Sequence, residues 1–139
     1  VPCWQQSAGM REAEREAFLD RFQPGGSGVG FAVLGGSFGE GIDLPGDRLV
    51  GAFVATLGLP QVNEVNERLR QRLERDFGRG FDYAYLYPGL RKVVQAAGRV
   101  IRTTEDEGVL WLIDDRFARA DVRALLPAWW RTDEAGPGC

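Results

Sequence analysis

Val109-Leu110-Trp111-Leu112-Ile113 is an unbroken apolar run that stops at two carboxylates, Asp114 and Asp115. A short run apolar at every position predicts a strand buried on both faces. Val29 to Leu34, closed by glycines on either side, and Leu49 to Leu57 carry the same pattern, and Val1 to Gln6 opens the chain with a further short strand. Helical periods lie between these runs. Met10, Ala13, Ala17, Phe18 and Phe22 recur at helical spacing among Arg and Glu, and Val62, Val65, Leu69, Leu73 and Phe77 form one narrow apolar stripe on a segment otherwise covered in charge. Tyr83 to Tyr87 is aromatic and ambiguous. Pro88 suits the first turn of a helix running to about Arg102, because it has no amide hydrogen to leave unpaired. A last helix is expected from about Arg119 to Leu126. Strands alternating with helices indicate an α/β domain with a mainly parallel sheet.

The 139 residues predict one domain with a single core, extending over 1–130, with 131–139 as a loose tail. Lys and Arg number 17 against 20 Asp and Glu, a net charge of −3, which lacks the positive excess of a free-standing nucleic-acid binder. The chain has no histidine, so His-dependent triads, His-ligated zinc and histidine general bases are excluded by inventory. Cys3 and Cys139 are too few for a thiolate cluster or a disulfide framework, and the composition reads as cytoplasmic. Nothing resembles a signal peptide or an apolar span of about 20 residues, so no membrane role is expected.

Two segments carry candidate chemistry. On the helix after Pro88, Gln95, Arg99 and Arg102 fall within about 60° of one another, with Lys92 beside them. Leu90, Val93, Val94, Ala97, Val100 and Ile101 take the opposite face. Gly98 within that helix costs about 1 kcal/mol relative to alanine, which points to close packing there. The array is either a ligand-facing donor set or a solvated basic face. The second segment, Gly35-Gly36-Ser37-Phe38-Gly39-Glu40-Gly41-Ile42-Asp43, leaves the carboxyl end of a strand, where parallel sheets bind ligands. Its glycines would let backbone approach a phosphate or ribose, and its two carboxylates could accept hydrogen bonds from sugar hydroxyls or a facing arginine. A tight structural connection explains it equally well. Gly25 to Gly30 reads as a flexible turn. The strand ending in Asp114-Asp115 imitates the magnesium-binding strand of P-loop enzymes, but no Gly-x-x-x-x-Gly-Lys-Ser/Thr is present and the single lysine, Lys92, precedes Val93 inside a helix. Asp114 and Asp115 are therefore expected to cap a helix or pair with arginine.

Gly35 to Gly46 resembles motif V, and Gln95-Ala96-Ala97-Gly98-Arg99-Val100-Ile101-Arg102 resembles motif VI, of the second motor domain of superfamily 2 DNA helicases of the XPD and DinG type. Asp114-Asp115-Arg116-Phe117 followed by Leu126-Pro127-Ala128-Trp129 is similar to the end of that domain. Gln5 and the Met10 to Phe22 segment resemble what precedes motif V, so the likeness runs from Gln5 to Trp130. It implies a RecA-like three-layer fold, a mainly parallel sheet flanked by helices. It further implies an engine of two such domains, with ATP and magnesium in the cleft between them and single-stranded DNA crossing both from five prime to three prime. By motif, Arg99 and Arg102 would reach the γ-phosphate and Gln95 would sense the phosphate or its water. Gly41 and Asp43 would lie toward the nucleotide, and Ser37 and Glu40 toward DNA. Trp129 and Trp130 are expected to close the core.

The family's phosphate-binding loop, acidic box and four-cysteine iron–sulfur segment are absent from these residues. The resemblance therefore implies a fragment, inactive alone, whose sheet lacks its first strand and offers an open edge for self-association. Any iron–sulfur cluster would belong to the other part of the protein. The rival reading is a non-catalytic RecA-like interaction module, against which the paired motif arginines weigh.

Overall fold

A computed structural model describes residues 1–35, 44, 46–101 and 107–133. The chain forms two compact units, Val1–Val54 with Gln95–Trp111 and Ala55–Val94 with Leu112–Cys139.

The first unit begins with strand β1, Cys3–Gln5, which runs parallel to β2, Val29–Phe31, with Trp4 opposite Gly30. Helix α1, Glu12–Leu19, connects them, the crossover that a parallel pair requires. The Arg11 amide donates to the Glu14 carboxylate at 2.7 Å and tightens the start of α1. Phe18, Phe22 and Trp4 meet edge to face or tilted, with centroids 5.0 to 6.5 Å apart. Gly30 is what allows them to reach the strand, because a Cβ there would overlap Phe22 Cζ and the Trp4 indole nitrogen. The Gly25 to Gly30 segment, expected to be only a flexible turn, thus holds a packing requirement in β2.

Strand β3, Gly51–Val54, pairs with β4, Val109–Leu112, and Phe53 stacks on Trp111 at 6.1 Å and 12°. Among the described residues the strands make two two-stranded sheets. They are shorter than the apolar runs that announce them, and they are not buried on both faces. Val29, Phe31, Phe53, Val109 and Trp111 are exposed, alternating with covered neighbours. One face of each sheet has a layer and the other stands in solvent. The covered side of this unit is built on Phe18, Leu44, Val54, Ala97 and Val100.

The second unit holds helix α2, Glu64–Phe77. The Asn63 side chain caps it by accepting from the Asn66 amide at 2.9 Å, and Gly78 closes it with an N–H to Glu74 O at 2.8 Å. Of its apolar stripe, Val62, Val65, Leu69 and Phe77 are exposed. The helix instead turns Asn66, Glu67, Arg70 and Leu73 inward, held by the Tyr85 hydroxyl donating to Glu67 at 2.6 Å.

The ambiguous aromatic stretch is a π-helical turn, Asp82–Leu86, followed directly by helix α3, Tyr87–Ala97. Pro88 therefore sits inside a helical run rather than at its start. A proline there removes a hydrogen bond and crowds the carbonyl four residues back. The wider turn accommodates it, with Tyr87 N–H bonding Asp82 O five residues back. Leu57, Tyr85, Leu86, Leu90, Val93 and Val122 are among the buried residues of this unit. After β4, Asp114 accepts from the Arg116 amide at 3.0 Å and opens a 3₁₀ turn, Asp115–Ala118, before the single-turn helix α4, Ala120–Arg123, shorter than expected. Among the described residues no helix is long and apolar enough to cross a membrane.

Candidate functional site

Gln95 lies exposed in the last turn of α3, and Arg99 lies half-buried just beyond its end. The helix stops at Ala97 rather than near Arg102. Arg99 N–H bonds Ala96 O and Val100 N–H bonds Ala97 O, both at 3.0 Å, so the chain tightens into three-residue turns. Gly98, lacking a side chain and poor in helix propensity, stands at the changeover. Ala97 and Val100 are buried and anchor the turn, while Gln95 and Arg99 flank them on the less covered side. A guanidinium just past the carboxyl end of a helix also lies where the helix dipole favours a cation. Arg102 lies outside the described residues, as do Ser37, Glu40, Gly41 and Asp43. The structure therefore brings Gln95 and Arg99 together on one turn.

Two supporting residues carried no signal in the sequence reading. Gly108 faces the buried side of the turn, where a Cβ would collide with Val100 Cγ1. Arg48 donates from Nε to Phe22 O at 2.6 Å and from Nη2 to Leu19 O at 3.2 Å, satisfying carbonyls at the end of α1. It pins the chain just after the glycine-rich Gly35 to Asp43 segment. Gly108 had only its isolation before a strand to mark it, and Arg48 had nothing.

The strongest electrostatics lie elsewhere. Asp114 accepts from Arg116 Nε at 2.8 Å and Nη2 at 2.6 Å, which holds its carboxyl down at about 2 against the cost of desolvation. Asp114 thus both caps a turn and pairs with arginine. Glu67 is lowered by the Tyr85 hydroxyl and by Arg70, and the Tyr85 phenol is raised by the same bond. A cavity of about 110 Å³ is lined by Leu57, Leu86, Val122, Asp82, Arg116 and Arg119. Arg116 and Arg119 are occupied by Asp114 and Asp121, so the cavity offers an anion little free charge. Among the described residues no three Cys, Asp or Glu side chains lie close enough to hold a metal ion, and these residues do not fit a magnesium site.

Residues 2–133 match the family of helicase C-terminal domains. Over 102 residues the chain is 35% identical to the ATP-dependent DNA helicase chl-1 of Caenorhabditis elegans, covering 71% of this chain and 12% of that protein. It is 37% identical over 108 residues to the general transcription and DNA repair factor IIH helicase subunit XPD of Arabidopsis thaliana, covering 76% and 14%. With the human regulator of telomere elongation helicase 1 it shares 38% over 120 residues, covering 78% and 10%. The chain thus spans a small part of the length of these relatives.

Proposed function

Because the chain belongs to the family of helicase C-terminal domains, whose α/β fold is RecA-like, we propose that residues 1–130 form the second motor domain of an ATP-dependent DNA helicase, with 131–139 as a tail. The observation that carries the reading is the end of α3, which places Gln95 in its last turn and Arg99 just past it, in a chain whose matched relatives are named as helicases.

In this proposal ATP sits against a first RecA-like domain of the same protein, which supplies the phosphate-binding loop and the acidic residues for magnesium. Arg99, with Arg102, meets the negative charge that develops on the transferred phosphoryl group. The Gln95 amide, able to donate and accept, orients the phosphate or the attacking water. Gly41 and Asp43 face the nucleotide, and Ser37 and Glu40 face single-stranded DNA, which the engine follows from five prime to three prime. An iron–sulfur cluster would belong to the first domain, and DNA repair is the pathway class that the XPD relative's name suggests. We place the protein in the cytoplasm on its sparse cysteine usage.

The division of labour is tested by ATP turnover with single-stranded DNA. The longer protein is expected to hydrolyse ATP and the 139-residue chain alone to stay at background. Turnover by the chain alone would overturn the assignment of the phosphate-binding loop to another domain.

A further inference from the structure

Gln6 stands one residue past β1 and continues the pairing of β1 with β2 through two different groups. Its backbone N–H donates to Phe31 O at 2.8 Å, as Val29 N–H donates to Pro2 O at 2.9 Å at the other end of the pair. In a parallel ladder of this register the next bond would run from Val33 N–H to the backbone carbonyl of Gln6. The chain turns away at Ala8 and Gly9, and the Gln6 side chain takes that carbonyl's place, its Oε1 accepting from Val33 N–H at 2.9 Å across 27 residues. The side-chain amide thus lengthens the ladder by one bond. That bond lands where the glycine-rich segment begins, since Gly35, two residues on, already holds the left-handed conformation that favours glycine, at φ 78°.

The far end of the segment is held separately, by the buried Leu44 and by the bonds from Arg48 to Phe22 O and Leu19 O. Two side chains therefore fasten its two ends, one to the chain before α1 and the other to the chain at the end of α1. Val33 is four residues from Ser37, at most about 14 Å of chain, and ten from Asp43. We propose that Gln6 is a positioning residue for the DNA-facing half of the glycine-rich segment: its side-chain amide fixes the direction in which the chain leaves β2, and with it the place of Ser37 on single-stranded DNA. The inference rests on the assignment of Ser37 to DNA under the proposed function and deepens it. Gln6 acts through the Val33 amide. Asp43, close to the second anchor, answers to Leu44 and Arg48 instead.

The test compares Gln6→Leu, which keeps the bulk and loses the acceptor, with Gln6→Glu, which keeps an acceptor oxygen at the same reach. In the 139-residue chain, hydrogen exchange of the Val33 amide, followed by NMR, should speed at least about tenfold in the leucine variant and stay within about twofold of wild type in the glutamate variant. Because Val33 is exposed, water replaces the lost acceptor and the melting temperature should be unchanged. In the longer protein, Gln6→Leu should raise the concentration of oligothymidylate that gives half-maximal stimulation of ATP turnover at least about fivefold, leaving KM for ATP and kcat at saturating DNA within about twofold. Gln6→Glu should restore the DNA response. A merely structural role would lower kcat through loss of folded enzyme and leave that DNA concentration unmoved. Such a result, or unchanged Val33 exchange in the leucine variant, would overturn the proposal. Wild-type protein without DNA-stimulated turnover would overturn the motor reading and the role of Gln6 together, whereas stimulation in wild type with an unchanged response in Gln6→Leu would overturn the role of Gln6 alone.

Discussion

Arg48 Nε donates to the carbonyl oxygen of Phe22 at 2.6 Å, across 26 residues of sequence, and thereby ties the end of the α1 region to the chain that follows the glycine-rich segment. The same side chain reaches Leu19 O, which also accepts the Phe22 amide at 3.0 Å, so one charged fork binds two backbone carbonyls where α1 ends. Replacing Arg48 with methionine keeps the aliphatic bulk and removes both donors. Urea denaturation should show a loss of about 1–2 kcal/mol, and an unchanged midpoint would mean that the bonds contribute nothing net.

Asp114 gives the stability of the chain a defined response to acid. Its folded-state value of about 2 lies below its ordinary 3.8, so its contribution is present above the unfolded value and disappears as pH falls through about 2. With Arg116 partly in solvent, about 1–2 kcal/mol should be lost from pH 5 to pH 2 through this pair. Asp121 and Glu67, also lowered by their partners, act in the same direction. Denaturation of wild type and Asp114→Asn across that range isolates the term: the variant should show the shallower slope, and parallel slopes would contradict it.

A methyl group at Gly108 would press on Val100, the buried anchor beside Arg99. Gly108→Ala should lower stability by about 1–3 kcal/mol, the usual cost of overpacking. In the longer protein ATP turnover should fall at a temperature where the variant remains folded. Wild-type stability together with wild-type turnover would show that the turn yields without consequence.

The half-covered sheets predict self-association at high concentration. Sedimentation velocity should show reversible association that Phe53→Ser and Trp111→Ser weaken and Leu69→Ser does not, since Phe53 and Trp111 form the exposed stack on β3 and β4. A monomer at every concentration would remove the prediction.

These residues also mark where the sequence was legible. The runs around Val29, Phe53 and Trp111 announced strands correctly, because apolar continuity bounded by glycine or carboxylate is a local signal. Their exposure was not legible, since a strand apolar on both faces reveals what it can bury and not whether this chain supplies both layers. The stripe on α2 was legible as a helix, but the face the helix turns inward was not, because that face is held by the bond between Tyr85 and Glu67, 18 residues apart. Pro88 suggested a helix start that the π turn moved upstream. At the candidate site, spacing put Gln95 and Arg99 on one helical face, but their role came only from the resemblance. Arg48 could not be found that way, since its acceptors are backbone carbonyls, which every residue possesses.

In the proposed engine Arg99 is the group that acts on phosphate. The most direct test of that role is DNA-stimulated ATP turnover by the longer protein carrying Arg99→Ala or Arg99→Lys, with melting temperature as the folding control. Arginine fingers in phosphoryl-transfer engines contribute about 10³–10⁵ in rate, and a neighbouring Arg102 would offset part of the loss. Turnover should therefore fall at least about a hundredfold in the alanine variant, with folding retained. The lysine variant should recover little, because it keeps the charge and loses the planar fork. Folded variants that hydrolyse ATP at the wild-type rate would mean that Arg99 does not act on the phosphate.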